Sequence, residues 1–232
     1  VEVMEICPSH GVKANPGMKL KKVVEESGLE VKVFASGNER PPGLSEPRVS
    51  PSLLQDSLEM HPVYPNSLKR RMSLMIAGSA GGGVQSAAES FAKAAILSGL
   101  DVTLRGAYTV TVGVGFSAAQ INMYPEPILY TGSATPDVVI VTSSDGANYA
   151  RPFAARMTEG LLVLDENLDS LPTGAEVIRV PMSAKVGTRD ASIHGLLWLL
   201  NRERMFPTEA MMDVLTAAGK SRRGKLEKLL QF

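Results

Sequence analysis

The chain has little cysteine and no excess of either charge. Its 232 residues include one cysteine, Cys7, which excludes an internal disulfide framework and any metal or cluster site built from cysteines of this chain alone. Lys plus Arg equals Asp plus Glu at 24 each, so no net charge attracts the chain to nucleic acid or to an anionic membrane. No apolar run approaches the roughly 20 residues of a membrane span, and no secretory leader is recognisable. We therefore expect a cytoplasmic globular protein without nucleic-acid or membrane partners.

The pattern along the chain then predicts three parts. Residues 1–35 alternate as strand, helix and strand, since "VEVMEI" and "LEVKVF" flank "PGMKLKKVVEESG", which begins with Pro and ends with Gly as helices do. Residues 36–71 contain six prolines, which predicts a stiff linker. Residues 72–232 form the third and largest part. The chain is therefore predicted to consist of a short β-α-β fragment, a Pro-rich linker and a large third part.

The third part has the pattern of an α/β domain. Buried or alternating runs predict strands at 73–77, 101–107, 116–123, 127–132, 136–142, 160–165 and 176–181. Helical periodicity covers 84–97, 148–158, 189–203, 207–219 and 222–231. Strands that alternate with helices predict a doubly wound, mostly parallel sheet with flanking helices.

A glycine cluster follows the first of these strands, in "SLMIAGSAGGGVQSAAESFAKAAILSG". The free N–H groups of a strand–glycine–helix junction suit an anion, which makes candidates of Gly78, Ser79, Gly81, Gly82 and Gly83. An ATP-binding Walker loop is excluded because Val84 follows the last glycine in place of Lys. The dinucleotide fingerprint fits only loosely, and Arg105 stands where its ribose-binding acid belongs. A close backbone turn without a ligand remains the alternative.

A second glycine-bearing stretch, "GAYTVTVGVGFSAAQINM", follows the second strand. Doubly wound sheets bind ligands at the carboxyl ends of their strands, so Tyr108, Thr109, Gly113 and Gly115 are further candidates. A bulged hairpin is the alternative explanation of these glycines.

These stretches, followed by "TPDVVIVTS", "ASIHGLLWLL" and "FPTEAMMDVL", resemble the gamma domain of 2-oxoacid:ferredoxin (acceptor) oxidoreductases over Met72–Phe232. Two departures from the family pattern are present. Gly82 replaces the Gln of the usual G-x-G-G-Q-G loop, and "TVTVGVGF" follows Tyr108 in place of the usual E-x-R-G-G ending. The resemblance implies a component of an enzyme that converts a 2-oxoacid to acyl-CoA and CO2, in which the gamma part supports the active-site cleft and subunit assembly.

The first 35 residues resemble the carboxyl-terminal end of the thiamine-diphosphate-binding beta domain of the same enzymes. Cys7 in "EICPSHG" matches the position of a 4Fe–4S ligand, whose fellow ligands are absent from this chain. The resemblance thus implies thiamine diphosphate, Mg2+, a 4Fe–4S cluster and coenzyme A in the parent complex, with no cofactor bound by this chain alone. The implied partners are the alpha and beta parts and ferredoxin or another electron acceptor, in an oligomer.

Two other functions compete with this one. One is a stand-alone NAD(P)-binding Rossmann oxidoreductase, against which Arg105 argues, and the other is a non-catalytic scaffold, which the missing Gln favours. No catalytic residue is predicted in this chain. His194, inside an apolar helix, is expected to pack in the core or an interface, and Asp165 at a strand end is expected to cap a helix or bind a loop.

Overall fold

The computed structural model describes residues 61–109 and 113–218 together with Leu229. These residues form one six-stranded mixed sheet with helices on both faces, and the strands lie in the order β2-β3-β1-β4-β5-β6. The strands are β1 (Met72–Ser79), β2 (Asp101–Tyr108), β3 (Phe116–Tyr124), β4 (Val138–Val141), β5 (Leu161–Asp165) and β6 (Glu176–Val180). The helices are α1 (Val84–Leu97), α2 (Ser144–Ala154), α3 (Met182–Val186), α4 (Ala191–Glu203) and α5 (Thr208–Ala218).

The direction of the strands confirms the predicted α/β fold with a mostly parallel sheet. β1, β4, β5 and β6 pair in parallel, and the first three have the buried apolar sequences typical of parallel strands. β3 pairs antiparallel with β1, from Met72 opposite Met123 to Ser79 opposite Phe116, and it also pairs antiparallel with β2. β3 is therefore the one described strand that runs against the other five.

Two apolar cores lie on opposite faces of the sheet, because successive strand side chains point to opposite faces. On one face Leu74 and Ile76 of β1 join the buried sides of α1, α4 and α5. On the other face Met75 and Ala77 pack with the alanines of α2. The helices on both faces match the doubly wound prediction.

Helix α1 has the bounds that the sequence predicts. Its alanines favour helix and let it approach the sheet closely, and Phe91 is its largest fully buried side chain. The Phe91 ring lies 5.2 Å from that of Phe206, centroid to centroid. The helix ends at Ser98, whose N–H bonds the carbonyls of Ala94 and Ala95.

The strand predicted at 127–132 is wrong. Residues 127–132 form no strand ladder. They are instead held by hydrogen bonds to side chains of β2 and β3. Asp101 accepts the N–H of Ile128, and Thr103 Oγ1 donates to the Tyr130 carbonyl at 3.0 Å. An apolar sequence next to a turn is compatible with either arrangement, and the polar side chains on the sheet decide between them.

The helix predicted at 148–158 begins and ends four residues earlier. Ser143 caps α2 by accepting the N–H of Gly146 at 3.2 Å, so the helix begins at Ser144. Pro152 lies in its last turn, where the missing N–H costs one helical hydrogen bond. The short helix α3 had no counterpart in the sequence prediction.

Part of the predicted organisation lies outside the described residues. This applies to the β-α-β fragment at 1–35, to the linker as far as residue 60 and to the helix predicted at 222–231, apart from Leu229. The described end of the predicted linker packs against the helices. The N–H of Val63 donates to the Leu97 carbonyl at the end of α1 at 2.8 Å, and the N–H of Ser67 donates to the Met205 carbonyl after α4 at 2.9 Å. Within the described ranges, no helix has the length and apolar composition to cross a bilayer.

The first testable prediction concerns the contact between α1 and the segment that carries Phe206. Phe91→Ala should lower the free energy of unfolding by about 3–5 kcal/mol, because it leaves a cavity beside the Phe206 ring. Phe91→Leu keeps most of the volume and should cost less than about 1.5 kcal/mol. Urea unfolding of the whole chain, followed by circular dichroism, measures both values. Equal losses for the two variants would show that the cavity is not the cause.

Candidate functional site

The two glycine stretches meet at one edge of the sheet. The carboxyl ends of β1, β2, β4, β5 and β6 lie at this edge, and antiparallel β3 begins there. The N–H of Ala80 donates to the carbonyl of Gly115 at 2.7 Å, which joins the first glycine loop to the second glycine stretch. We call the surface formed by residues 78–86, 108, 109, 113–116, 142–145 and 188–193 the glycine edge.

The first glycine loop is a tight turn that leads directly into α1. The N–H of Gly82 donates to the Ser79 carbonyl at 2.9 Å, and Gly81 and Gly83 have φ values of 81° and 74°. These angles lie in the left-handed region that side chains disfavour. Gly83 is the N-cap of α1, so the first-turn amides and the positive end of the helix dipole face the glycine edge.

The same geometry accounts for the departure at Gly82. A Cβ atom added to Gly82 would lie 2.9 Å from the Ser79 carbonyl oxygen, too close for an ordinary contact. A Gln at this position would need a more open turn, so this loop is closed more tightly than the G-x-G-G-Q-G pattern requires.

The Ser79 hydroxyl connects the ends of β1 and β4. It lies 2.9 Å from Ser143 Oγ and 2.9 Å from Asp145 Oδ2. One hydroxyl can donate to the carboxylate and accept from the second hydroxyl at the same time. Ser143 and Asp145 were not among the predicted residues, although Ser143 directly follows a buried strand, which is the signal that could have identified it.

The opposite wall comes from the segment between α3 and α4 and from the first turn of α4. Ser192 Oγ donates to the Gly82 carbonyl at 3.3 Å, and a Cβ atom on Gly83 would lie 2.6 Å from the Arg189 carbonyl oxygen. Arg189 also borders the two hollows of the glycine edge, one beside Ser79 and Thr142 and the other beside the first turn of α1. No pattern in the sequence singles out Arg189 or Ser192.

The second glycine stretch is the turn of an antiparallel hairpin. β2 and β3 pair from Asp101 opposite Tyr124 to Tyr108 opposite Ser117, and the N–H of Thr109 donates to the Phe116 carbonyl at 3.4 Å. The Tyr108 side chain is 69% exposed at the rim. Gly113 and Gly115, which have positive φ values, lie in the connection between these two antiparallel strands, and Gly115 also belongs to the glycine edge.

The arrangement of the strands argues against a dinucleotide site. In the Rossmann fold the strand that carries the ribose-binding acid lies next to the strand before the glycine loop. Here β3 lies between β1 and β2, so the end of β2 is one strand further away. Arg105 is three residues short of that end and borders a cavity on the α2 face of the sheet.

Asp165, the last residue of β5, and His194, near the start of α4, have structural roles. The buried Asp165 accepts the N–H of Ser183 at 2.7 Å and so caps the start of α3, as the sequence predicts. His194 is fully buried in α4, with Nδ1 3.0 Å from the Leu229 carbonyl oxygen. Burial lowers the pKa of His194 below its ordinary 6.5, the Leu229 carbonyl opposes this shift, and nearby Lys185 adds to it while Asp165 opposes it.

Residues 73–193, more than half of the chain, match the family model described as pyruvate ferredoxin/flavodoxin oxidoreductase. The chain belongs to this family. The match confirms the family to which the resemblance of the sequence points. A comparison with curated proteins gives no significant match.

Three solved structures share the fold of this family member. The 2-oxoglutarate:ferredoxin oxidoreductase of Magnetococcus marinus, solved with 2-oxoglutarate, coenzyme A and succinyl-CoA bound, matches with a TM-score of 0.61 and 19% identity. That match covers 70% of this chain and 30% of the other, so the chain spans less than a third of that relative.

The other two structures are matched over nearly their whole length. The keto/oxoacid ferredoxin oxidoreductase gamma subunit of Geobacter sulfurreducens matches with a TM-score of 0.56 and 16% identity, over 69% of this chain and 94% of the other. The pyruvate oxidoreductase subunit PORC of Thermotoga maritima matches with a TM-score of 0.56 and 18% identity, over 70% and 94%. At these identities the likeness establishes the fold.

The second testable prediction compares two glycines of the first loop. Gly81→Ala should cost about 1 kcal/mol, the cost of a positive φ, because nothing lies within 4 Å of the new Cβ atom. Gly83→Ala should cost at least about 1 kcal/mol more, because its Cβ atom also meets the Arg189 carbonyl. Urea unfolding of both variants measures the difference. Equal costs would mean that the wall carrying Arg189 does not rest against the loop.

The third testable prediction concerns pH and His194. Because the pKa of His194 is lower in the folded chain, the unfolded chain binds more protons as the pH falls below 6.5. The contribution of His194 to stability should therefore be complete above pH 6.5 and fall at lower pH, by at most about 1.4 kcal/mol per pH unit.

His194→Asn, which keeps a donor for the Leu229 carbonyl but cannot titrate, is the matched control. Its free energy of unfolding should depend less on pH between 6.5 and 5 than that of the parent chain, as measured by urea unfolding at each pH. An identical slope in both proteins would contradict this assignment.

Proposed function

We propose that the chain is the gamma component of a thiamine-diphosphate-dependent 2-oxoacid:acceptor oxidoreductase. The complex converts a 2-oxoacid and coenzyme A to acyl-CoA and CO2 and passes two electrons to ferredoxin or another acceptor. This chain supports the active-site cleft and the assembly of several subunits, and alone it has no turnover. Membership in the pyruvate ferredoxin/flavodoxin oxidoreductase family supports this proposal.

The observation that carries the proposal is the bond between the Ala80 N–H and the Gly115 carbonyl. It brings the two glycine stretches that define the resemblance to a single edge of the sheet. We infer that this edge, with Gly78, Ser79 and Gly81–Gly83 on one side and Tyr108, Thr109, Gly113 and Gly115 on the other, faces the cleft. Loop amides and the positive end of α1 there suit a phosphate of coenzyme A or a substrate carboxylate.

The cofactors of the chemistry are assigned to the other parts of the complex. Among residues 61–109 and 113–218, no three His, Cys, Asp or Glu side chains come together as a metal site, so we derive no metal-dependent step from them. Cys7, the position that resembles a 4Fe–4S ligand, lies outside the described residues. Thiamine diphosphate supplies the carbanion stabilisation that decarboxylation needs, and we assign it with Mg2+ to the alpha and beta parts.

In this proposal the residues of this chain hold the loop amides in place and orient them toward an anionic group of the substrate or coenzyme A. Ser79 holds the first glycine loop against the start of α2 through Ser143 and Asp145, which fixes the direction of the loop amides. Ser192 and the Arg189 carbonyl support the loop from the other side. A rigid set of amides can then receive an anionic group without reorganisation when it binds.

The fourth testable prediction concerns the assembled enzyme. The full-length parent chain, purified with its partner subunits, should reduce a redox dye when a 2-oxoacid, thiamine diphosphate and coenzyme A are all present, and the 232-residue chain alone should not. A panel of pyruvate, 2-oxoglutarate, branched-chain and aryl 2-oxoacids identifies the substrate. A complex that assembles but is inert to every acid would indicate a scaffold and overturn the proposal, as would turnover by this chain alone.

Variants in the assembled enzyme test the role of the glycine edge. Gly81→Asn adds a side chain into open space at a positive φ that Asn tolerates, and it should lower kcat/KM for coenzyme A or the 2-oxoacid by about tenfold or more, or about 1.4 kcal/mol. Gly187→Asn is the matched control, because Gly187 also has a positive φ and open space around it, and it lines neither hollow of the glycine edge. Equal effects of the two variants would show that the first loop does not face the cleft.

A further inference from the structure

A second cavity lies away from the glycine edge, on the face of the sheet that α2 covers. Its volume is about 340 Å³, within the size range of small-molecule sites. It shares no lining residue with the two hollows beside the glycine loop. Its floor is formed by β2 and β3, and its walls by α2 with Arg156 and by the segment 131–134.

The segment 131–134 is a fixed wall. Gln120 of β3 is buried and bonds Ser133 twice, with its Nε2 donating to the Ser133 carbonyl at 3.1 Å and its Oε1 accepting the Ser133 N–H at 3.2 Å. Gly132 has a φ of 74°, and a Cβ atom there would lie 2.4 Å from Gln120 Oε1. The peptide groups of this wall are therefore held in place beside the cavity.

The cavity is cationic. Arg105 of β2 and Arg156 after α2 border it, and no Asp or Glu does. In the described part of the chain, neither guanidinium group has a hydrogen bond or an ion pair. Arg202, by contrast, pairs with Glu176, and Arg179 bonds backbone carbonyls. Two unpaired guanidinium groups at one cavity favour a phosphate, which offers several oxygens to their N–H forks.

The wall formed by α2 is aromatic. Tyr149 stacks on Phe116 with ring centroids 4.0 Å apart, and its ring lies 5.7 Å from that of Phe153. Both Tyr149 and Phe153 are half-buried, so the stack is rigid while part of each ring borders the cavity. Flat rings pack well against such faces and edges.

We propose that this cavity binds a nucleoside monophosphate, with the phosphate at Arg105 and Arg156 and the base against Tyr149 and Phe153. Segment 131–134 would form the wall beside the base. The ligand thus has a charged end and a flat end, as the cavity has a cationic end and an aromatic wall. Such binding requires no turnover and does not depend on oxidoreductase activity.

The fifth testable prediction concerns the ligand of this cavity. Isothermal titration calorimetry of the 232-residue chain with AMP, adenosine and inorganic phosphate compares their affinities. AMP should bind, and adenosine and phosphate should each bind at least about tenfold more weakly, since each lacks one half of the ligand. Arg105→Gln and Arg156→Gln should each weaken AMP binding by about tenfold or more. Both side chains are exposed, so the variants should keep the unfolding midpoint of the parent chain.

Two matched controls locate the site. Arg151→Gln removes an exposed arginine of α2 that does not border the cavity, and Arg189→Gln removes the arginine beside the glycine loop. Neither should change AMP binding. Absence of AMP binding at millimolar concentration, equal binding of phosphate and AMP, or loss of binding in Arg189→Gln but not in Arg105→Gln would each overturn the proposal.

Discussion

The position of β1 at the centre of the sheet determines where every loop of the glycine edge lies. β1 pairs with β3 on one side and with β4 on the other, and seven of its eight residues are buried. Because its last residue, Ser79, is anchored in this way, the turn that follows cannot shift along the sheet. The cap of α2 bonds the Ser79 hydroxyl, and the Gly115 carbonyl accepts the N–H of Ala80, so both are held at the start of that turn.

The antiparallel strand β3 makes this sheet different from that of a dinucleotide-binding domain. It fills the place beside β1 that the next parallel strand would otherwise occupy, and it moves β2 to the outer edge. The first glycine loop therefore has a hairpin turn as its neighbour, where a Rossmann domain has a ribose-binding acid. The same displacement exposes part of the α2 face of β2, which is where Arg105 and the aromatic wall form a cavity.

The sequence predicted those parts of the fold that depend on local pattern. The bounds of α1, the buried runs of β1, β4 and β5 and the two glycine stretches follow from periodicity and glycine spacing. The segment 127–132 was predicted wrongly because the side chains of Asp101 and Thr103, which hold it, act across distant parts of the chain. Arg189 and Ser192 were missed for the same reason, since their contacts with the glycine loop are purely tertiary.

The hydrogen bond from Ala80 to Gly115 links the backbone shape at Gly115 to the first glycine loop. The N–H of Ala80 reaches the Gly115 carbonyl at 2.7 Å, and Gly115 presents that carbonyl with a φ of 88°. A Cβ atom on Gly115 would lie 2.8 Å from Thr109 Cγ2. A side chain at Gly115 would therefore strain the connection that follows β2 and disturb the support of the first loop at the same time. The two loops thus behave as one mechanical unit coupled through this bond.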